Sequence, residues 1–330
     1  MYFTEFVRHF HALTGQVGRS LLGKPEQVRR AVTCLLAGGH LLLDDVPGVG
    51  KTTLASALAG LVHGGRSTRI QGTPDLLPGD ILGVSVFERD RGGFTFHDGP
   101  IVANVVLFDE INRCAPRTQS ALLQAMQERR VSTYRHDAPL PDPFMVIGTQ
   151  NPQETLGTYP LPEAQLDRFL MRITLGYPAR DAGRELLRRH GRRSAVPGPS
   201  AGLRPEEFRV MIDVARAVPV AEAVYDYVSD VVEATRAPET GIALGASPRA
   251  SLDLLAAAKV HALARCPETE AEQVYLRPDD VRAVAADVLA HRLVLAGRDG
   301  HPVAAAQRDA VTALLRTLPV PASVPASVRP

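Results

Sequence analysis

The sequence predicts an α/β fold: a parallel β-sheet flanked by helices with β-hairpin inserts, followed by a second, all-α unit. Three observations predict it. Short apolar runs alternate with segments of helical period through the first part of the chain, which argues for a parallel sheet. One run, HLLLDDV, leads directly into a glycine loop that opens a helix. From about residue 195 every apolar pattern is helical.

At 330 residues the chain is long for one domain, and 45% apolar residues are enough for a sizeable core. A net charge of +1 excludes the global basic field that favours nucleic acid. Of 37 basic residues only Lys24, Lys51 and Lys259 are lysine. A lysine kept at position 51 is therefore informative. Cys34, Cys114 and Cys266 are scattered and odd in number, so buried reduced thiols are expected rather than disulfides or a metal site. That usage fits a cytoplasmic protein. The N-terminus lacks the pattern of a signal peptide, and no apolar stretch reaches the roughly 20 residues that span a bilayer.

In chain order, residues 3 to 38 read as helical with a break at Gly23. HLLLDDV is a strand, TTLASALAGLVHG a helix ending at Gly64 and Gly65, and TRIQGT a second strand. GVSVFE and GFTFHD, around RDRGG, form a β-hairpin at about 84 to 97. NVVLFDE is a buried strand ending in carboxylates, TQSALLQAMQERR an amphipathic helix, and PFMVIGTQN a further buried strand. SAVPGPSAG reads as a linker, then five helical segments follow, and PVPASVPASVRP as a disordered tail. The expected division is 1–194, 195–319 and 320–330.

Chemistry collects at strand ends, where α/β sheets bind ligands. The loop Pro47, Gly48, Val49, Gly50, Lys51, Thr52, Thr53 suits an anion, with Lys51 reaching β/γ-phosphates and Thr52 a metal ion. The usual pattern begins with a glycine where this chain has Asp45. Asp tolerates unusual dihedrals, and its carboxylate must point away from the phosphates. Asp109 and Glu110 could hold a metal and polarise water; alone they could equally be a strand end or a helix cap. Asn151 could orient water, or simply form the turn that NP favours. Arg168 has the fork that suits a phosphoryl transition state, or else a surface salt bridge. Arg249 begins a helix in the second unit.

The assembled pattern resembles the MoxR family of AAA+ P-loop ATPases. The matching text is DVPGVGKTT, TPDLLPGDILG, GPIVANVVLFDEINRCAPRTQSALLQAMQERRV, PFMVIGTQNPQETLGTYPLPEAQLDRFLMRI and GASPRA. The resemblance spans roughly residues 20 to 320. It implies an AAA+ core with an all-α lid, ATP and Mg²⁺ as cofactors, and assembly into a ring, expected hexameric, with ATP between subunits. By position, Lys51 and Thr52 would be the Walker A pair, with Thr52 and Asp109 holding Mg²⁺. Glu110 completes Walker B, Asn151 is sensor 1, Arg168 the arginine finger and Arg249 sensor 2. The hairpin at about 84 to 97 and VSTYRHDAPL match family inserts facing the ring's pore or a partner. Partners with a von Willebrand factor A domain are implied, and the family often carries an acidic residue near the position of Asp45.

Two departures stand out. GKPEQ replaces the commoner GQ near the adenine, and Gly72 stands where a bulky residue is common. Two alternative functions share the architecture: a nucleic-acid motor, with some support from RELLRRHGRRS, and a metal-chelatase subunit. The first is disfavoured by the near-zero charge. No HExxH motif, no Cys/His cluster and no G-x-S-x-G elbow is present.

Overall fold

The computed structural model describes residues 1–90, 92–133, 136–151, 157–191, 202–296 and 304–321. Two helices open the chain, α1 (Phe3–Ser20) and α2 (Pro25–Leu36). The chain turns between them at Gly23, and Pro25 supplies the first-turn proline that starts α2. Next come β1 (Leu41–Asp44), α3 (Lys51–Ala59), β2 (Ser67–Gln71) and α4 (Pro78–Leu82). The first hairpin is β3 (Gly83–Glu88) with β4 (Gly93–Asp98), paired antiparallel. Then follow β5 (Val105–Asp109), α5 (Pro116–Glu128) and a second hairpin, β6 (Arg130–Thr133) with β7 (His136–Pro139). The core closes with β8 (Met145–Gln150), α6 (Glu163–Leu166), β9 (Met171–Ile173) and α7 (Arg180–Gly191).

The sheet runs in the order β2-β5-β8-β1-β9, and every pairing is parallel. Its three central strands are buried almost throughout, as a parallel sheet covered on both faces must be. The two-residue alternation of a strand divides them between two cores. Leu41, Leu43, Val105, Leu107, Met145 and Ile147 face α1, α2, α3 and the C-terminal helices. Leu42, Val106, Phe108 and Val146 face α5, whose Leu122, Leu123 and Met126 cover them.

Beyond the core lie α8 (Pro205–Arg216), α9 (Glu222–Ala234), α10 (Pro248–Ala264), α11 (Pro278–Leu289) and α12 (Ala304–Thr317). The expected boundary at 194/195 and all but the start of the expected tail fall outside the described residues. The second unit is not purely helical. A short antiparallel ladder, β10 (Ile242–Leu244) with β11 (Val294–Leu295), joins the loops after α9 and α11. A second difference concerns α3, which ends at Ala59 rather than at Gly64 and Gly65. Residues 61–63 leave the helix because Leu61 and His63 exchange backbone hydrogen bonds with Leu203, at 2.8 Å each. A remote segment supplies partners that a further helical turn would have used. Cys34, Cys114 and Cys266 are buried and free.

His40, just before β1, joins the sheet to α5. The amide N–H of Val146 donates to its Nδ1 (3.0 Å), and Nε2 donates to the carbonyl of Met126 (3.2 Å). Both bonds suit the neutral ring. Burial, aided by the nearby Arg129 charge, pushes its pKa down to about 3 from the usual 6.5. A depressed folded value means that the neutral ring stabilises the fold above 6.5, and that the contribution is lost as pH falls towards 3. The melting temperature should therefore drop across that interval. His40→Leu should start lower, because two buried partners lose their bonds, but should fall less steeply with acid. Parallel slopes for the two proteins would exclude His40 as a titrating group.

Candidate functional site

β1 delivers the chain to the C-terminal edge of the sheet, where the loop from Asp45 to Gly50 turns it into α3. Gly48 and Gly50 have φ of +81° and +102°, values that a side chain makes costly. Gly50 is the N-cap of α3, so the first amide N–H groups of that helix face the loop and favour an anion. Val49 is buried and anchors the loop, whereas Pro47, Gly48 and Thr53 are exposed. A Cβ at Gly50 would lie 2.9 Å from Leu21 Cδ1, so the segment before α2 closes one side of the loop.

Asp45 is buried and turned away from the loop. Its Oδ1 accepts from the N–H of Val46 (2.8 Å) and its Oδ2 from the N–H of Gly176 (2.6 Å). The carboxylate thus spends its charge on backbone donors, and an acid at this place is compatible with an anion site. Lys24 reaches the residue next to Gly176 and donates to the carbonyl of Tyr177 (2.7 Å).

The half-buried Lys51 donates to the carbonyls of Asp45 (2.5 Å) and Gln150 (2.9 Å). Burial lowers its pKa, opposed by Asp45, Asp109, Asp44 and Glu110. An ammonium whose hydrogen bonds, among the described residues, go to carbonyl oxygens is poised for a charged acceptor. Thr52 Oγ1 lies 3.5 Å from Asp109 Oδ2. A hydroxyl beside a carboxylate is the hard-oxygen donor set that Mg²⁺ takes, and the guanidinium of Arg69 on the same oxygen (2.8 Å) marks it as a place for positive charge. The residues present fit both a nucleotide phosphate chain and its metal.

Asp109 and Glu110 are fixed by Thr149, a fully buried residue at the end of β8. Its hydroxyl donates to Asp109 Oδ1 (2.6 Å) and accepts from the N–H of Glu110 (2.9 Å). Glu110 has a left-handed backbone, φ 57° and ψ 51°, which turns its side chain out of the strand direction. Its Oε2 meets Gln71 Nε2 (2.7 Å) and Arg113 Nε (3.1 Å). Gly72 explains itself here. A Cβ on it would lie 2.2 Å from the carbonyl oxygen of Glu110, too close for any side chain without moving backbone.

The structure thus gathers Lys51, Thr52, Asp109 and Glu110 at one edge, with Asn151 directly after the Gln150 whose carbonyl Lys51 uses. Arg168 is directed elsewhere. Its Nη1 donates to the carbonyl of Leu123 (3.0 Å) and to Gln127 Oε1, both on α5. Arg249, the second residue of α10, lies 3.9 Å from Asp253. Asp253 also binds Arg292 (2.5 Å), which in turn meets Asp167 (3.3 Å), the neighbour of Arg168. Three contributors were not singled out in the sequence: Thr149, Arg69 and Gln71. Thr149 carried a signal, as a polar residue inside an apolar strand. Arg69 and Gln71 carried only a weaker one, polar residues two apart that share a face of β2.

Both units of the chain resemble known proteins. Residues 40–171 match the model of the ATPase family associated with various cellular activities (AAA), and residues 234–313 match the AAA lid domain. The chain is 45% identical over 290 residues to Chaperone MoxR1 of Mycobacterium tuberculosis, covering 85% of this chain and 74% of that one. It is 39% identical over 319 residues to YeaC of Bacillus subtilis, covering 96% of both. A crystal structure from Cytophaga hutchinsonii, described as that of a proposed ATPase, superposes with a TM-score of 0.82 at 33% identity. That likeness covers 97% of this chain and 96% of the other.

Thr149 gives the site a direct test. Thr149→Val keeps the shape but leaves Asp109 Oδ1 and the Glu110 N–H without their buried partner, a loss of about 1–3 kcal/mol in stability. The valine protein should melt earlier and hydrolyse ATP more slowly, and Thr149→Ser should recover most of both. Full activity in Thr149→Val would show that the hydroxyl does not position the carboxylates.

Proposed function

Because this chain belongs to the MoxR family of AAA+ ATPases, we propose that it couples ATP hydrolysis to remodelling or chaperone-like activation of partner proteins. One observation carries the reading. A lysine ammonium, a hydroxyl and two carboxylates converge beside a loop of positive-φ glycines at the C-terminal edge of a parallel sheet. That set suits a nucleotide phosphate chain and its metal.

In this proposal the N–H groups at the start of α3, together with Lys51, hold the β- and γ-phosphates. Thr52 and Asp109 would hold Mg²⁺, which when bound would offset phosphate charge. Glu110 orients the attacking water and accepts its proton. Asn151 orients the same water without adding charge. Arg249 links the helical lid to the γ-phosphate, and Arg168 serves the site of a neighbouring copy in a ring, taken as hexameric. The unit of residues 1–194 binds nucleotide and that of residues 195–319 reports its state. A protein with a von Willebrand factor A domain is the proposed partner, met in the cytoplasm. No described helix is long and apolar enough to cross a membrane.

Glu110→Gln should bind ATP but turn it over more than tenfold more slowly, since a carboxamide accepts no proton. In ATP this protein should also retain a von Willebrand factor A domain protein in a pull-down. Turnover within about threefold of wild type, about 0.6 kcal/mol of barrier, would remove Glu110 as the base.

Arg168 is tested by mixing. Its hydrogen bonds go to α5 and not to Lys51, Thr52, Asp109 or Glu110, which suits a role played in trans. Arg168→Ala and Lys51→Ala should each be inactive alone, and a mixed ring should recover part of the activity. Some interfaces then pair an intact loop with an intact arginine. No recovery in rings shown to be mixed by native mass spectrometry would leave Arg168 as a tie to α5.

A further inference from the structure

Asp109 has two oxygens, and they are spent differently. Oδ1 is taken by the buried Thr149 hydroxyl at 2.6 Å. Oδ2 faces Thr52 Oγ1 at 3.5 Å and is the oxygen that a cation shared by these two residues would use. That oxygen already accepts a 2.8 Å charge-assisted hydrogen bond from Arg69 Nη2.

The two partners of this ion pair differ in freedom. The Asp109 side chain is 12% exposed and fixed by Thr149, whereas that of Arg69 is 57% exposed. Arg69 stands on β2, an edge strand with no neighbour on its outer side among the described residues. Its Nη2 also lies 3.5 Å from Gln71 Oε1, two residues on and on the same face of β2. The arginine therefore has somewhere to go, and the aspartate does not.

We infer that Arg69 is a resident competitor for the divalent cation at Asp109: its guanidinium holds the oxygen that a cation shared with Thr52 needs, and metal binding displaces it to the exposed side of β2. Two positive charges drawn to one oxygen repel strongly at such range. The pair is exposed on its arginine side only, and the mobile guanidinium gives way to a cation that arrives with phosphate oxygens of its own. Nucleotide and metal together thus displace what the metal alone does not. Asp109 keeps a partner at every stage, and its buried carboxylate is never left unpaired. Arg69 is a positioning residue here, since it touches the metal's ligand rather than the substrate.

The inference rests on the nucleotide and Mg²⁺ reading of the Lys51–Asp109 site, and the test separates the two. A fluorescent ADP is titrated onto wild type and Arg69→Met across a range of free Mg²⁺, with EDTA as the zero point. Arg69→Met keeps length and removes charge, and the exposed position leaves the fold intact, as melting temperature checks; Arg69→Gln repeats the test if the methionine protein is unstable. The free Mg²⁺ that half-saturates the nucleotide complex should fall by about three- to tenfold in the variant. Arg113→Met, which removes a charge held by Glu110 rather than by Asp109, should leave that midpoint nearly unchanged. An unchanged or higher midpoint in Arg69→Met would overturn the competition, as would an equal fall in Arg113→Met, which would mean long-range charge alone. A wild-type protein that binds no ADP at any Mg²⁺ would instead remove the site reading on which the inference stands.

Discussion

A single buried hydroxyl sets the geometry on which the candidate site depends. Thr149 bridges two parallel strands beyond their last shared register pair, donating to one acidic side chain and accepting from the backbone of the next residue. Removing the bridge would leave a buried carboxylate oxygen and a buried N–H unpaired, so there is a strong penalty against any other arrangement. The two carboxylates consequently leave β5 in different directions. Asp109 continues the strand towards Thr52, and Glu110, in its left-handed conformation, turns towards Gln71 and Arg113.

The edge strand β2 is the counterpart of that bridge. Its backbone follows β5 in register from Ser67↔Val105 to Gln71↔Asp109, which brings Arg69 and Gln71 level with the carboxylates. At the end of this register Gly72 donates its N–H to the carbonyl of Asp109 at 2.7 Å and passes close to that of Glu110. The approach is so tight that the absence of a side chain is a geometric requirement in this chain. Gly72 is thus tied to how closely β2 meets the acidic strand end.

The glycine loop is held from behind by the helical unit. Asp44, the last residue of β1, lies 3.7 Å from the buried Arg172 of β9, and Arg172 donates to Gln307 of α12 at 2.6 Å. Burial raises the Asp44 pKa, with Arg172 opposing. A second tie runs through Asp167, which accepts from Ser247 at the start of α10 and pairs with Arg292. Arg249 and Arg168 stand at the two ends of this second tie. The start of α10 and the segment that carries Arg168 are thus tied by one polar network.

The sequence by itself determined the parallel sheet, the glycine loop, the first hairpin and the five C-terminal helices, because each is written in local signals: apolar runs, two- and 3.6-residue periods, and turn residues; the second hairpin follows only from the family resemblance. It also determined that Lys51, Thr52, Asp109 and Glu110 would lie at strand ends, since strand direction places loop and carboxylates on one edge. It did not determine where α3 stops, because the partner that ends it, Leu203, lies 140 or so residues away. Nor did it reveal the β10–β11 ladder, two short strands too brief to show a period. Only the tertiary structure decided that Asp45 would face Gly176, that Arg168 would rest on α5, and that Arg69 would sit on Asp109. Those outcomes depend on which strand lies beside which and at what register, and hydrogen bonds between remote residues leave no periodic trace in the chain.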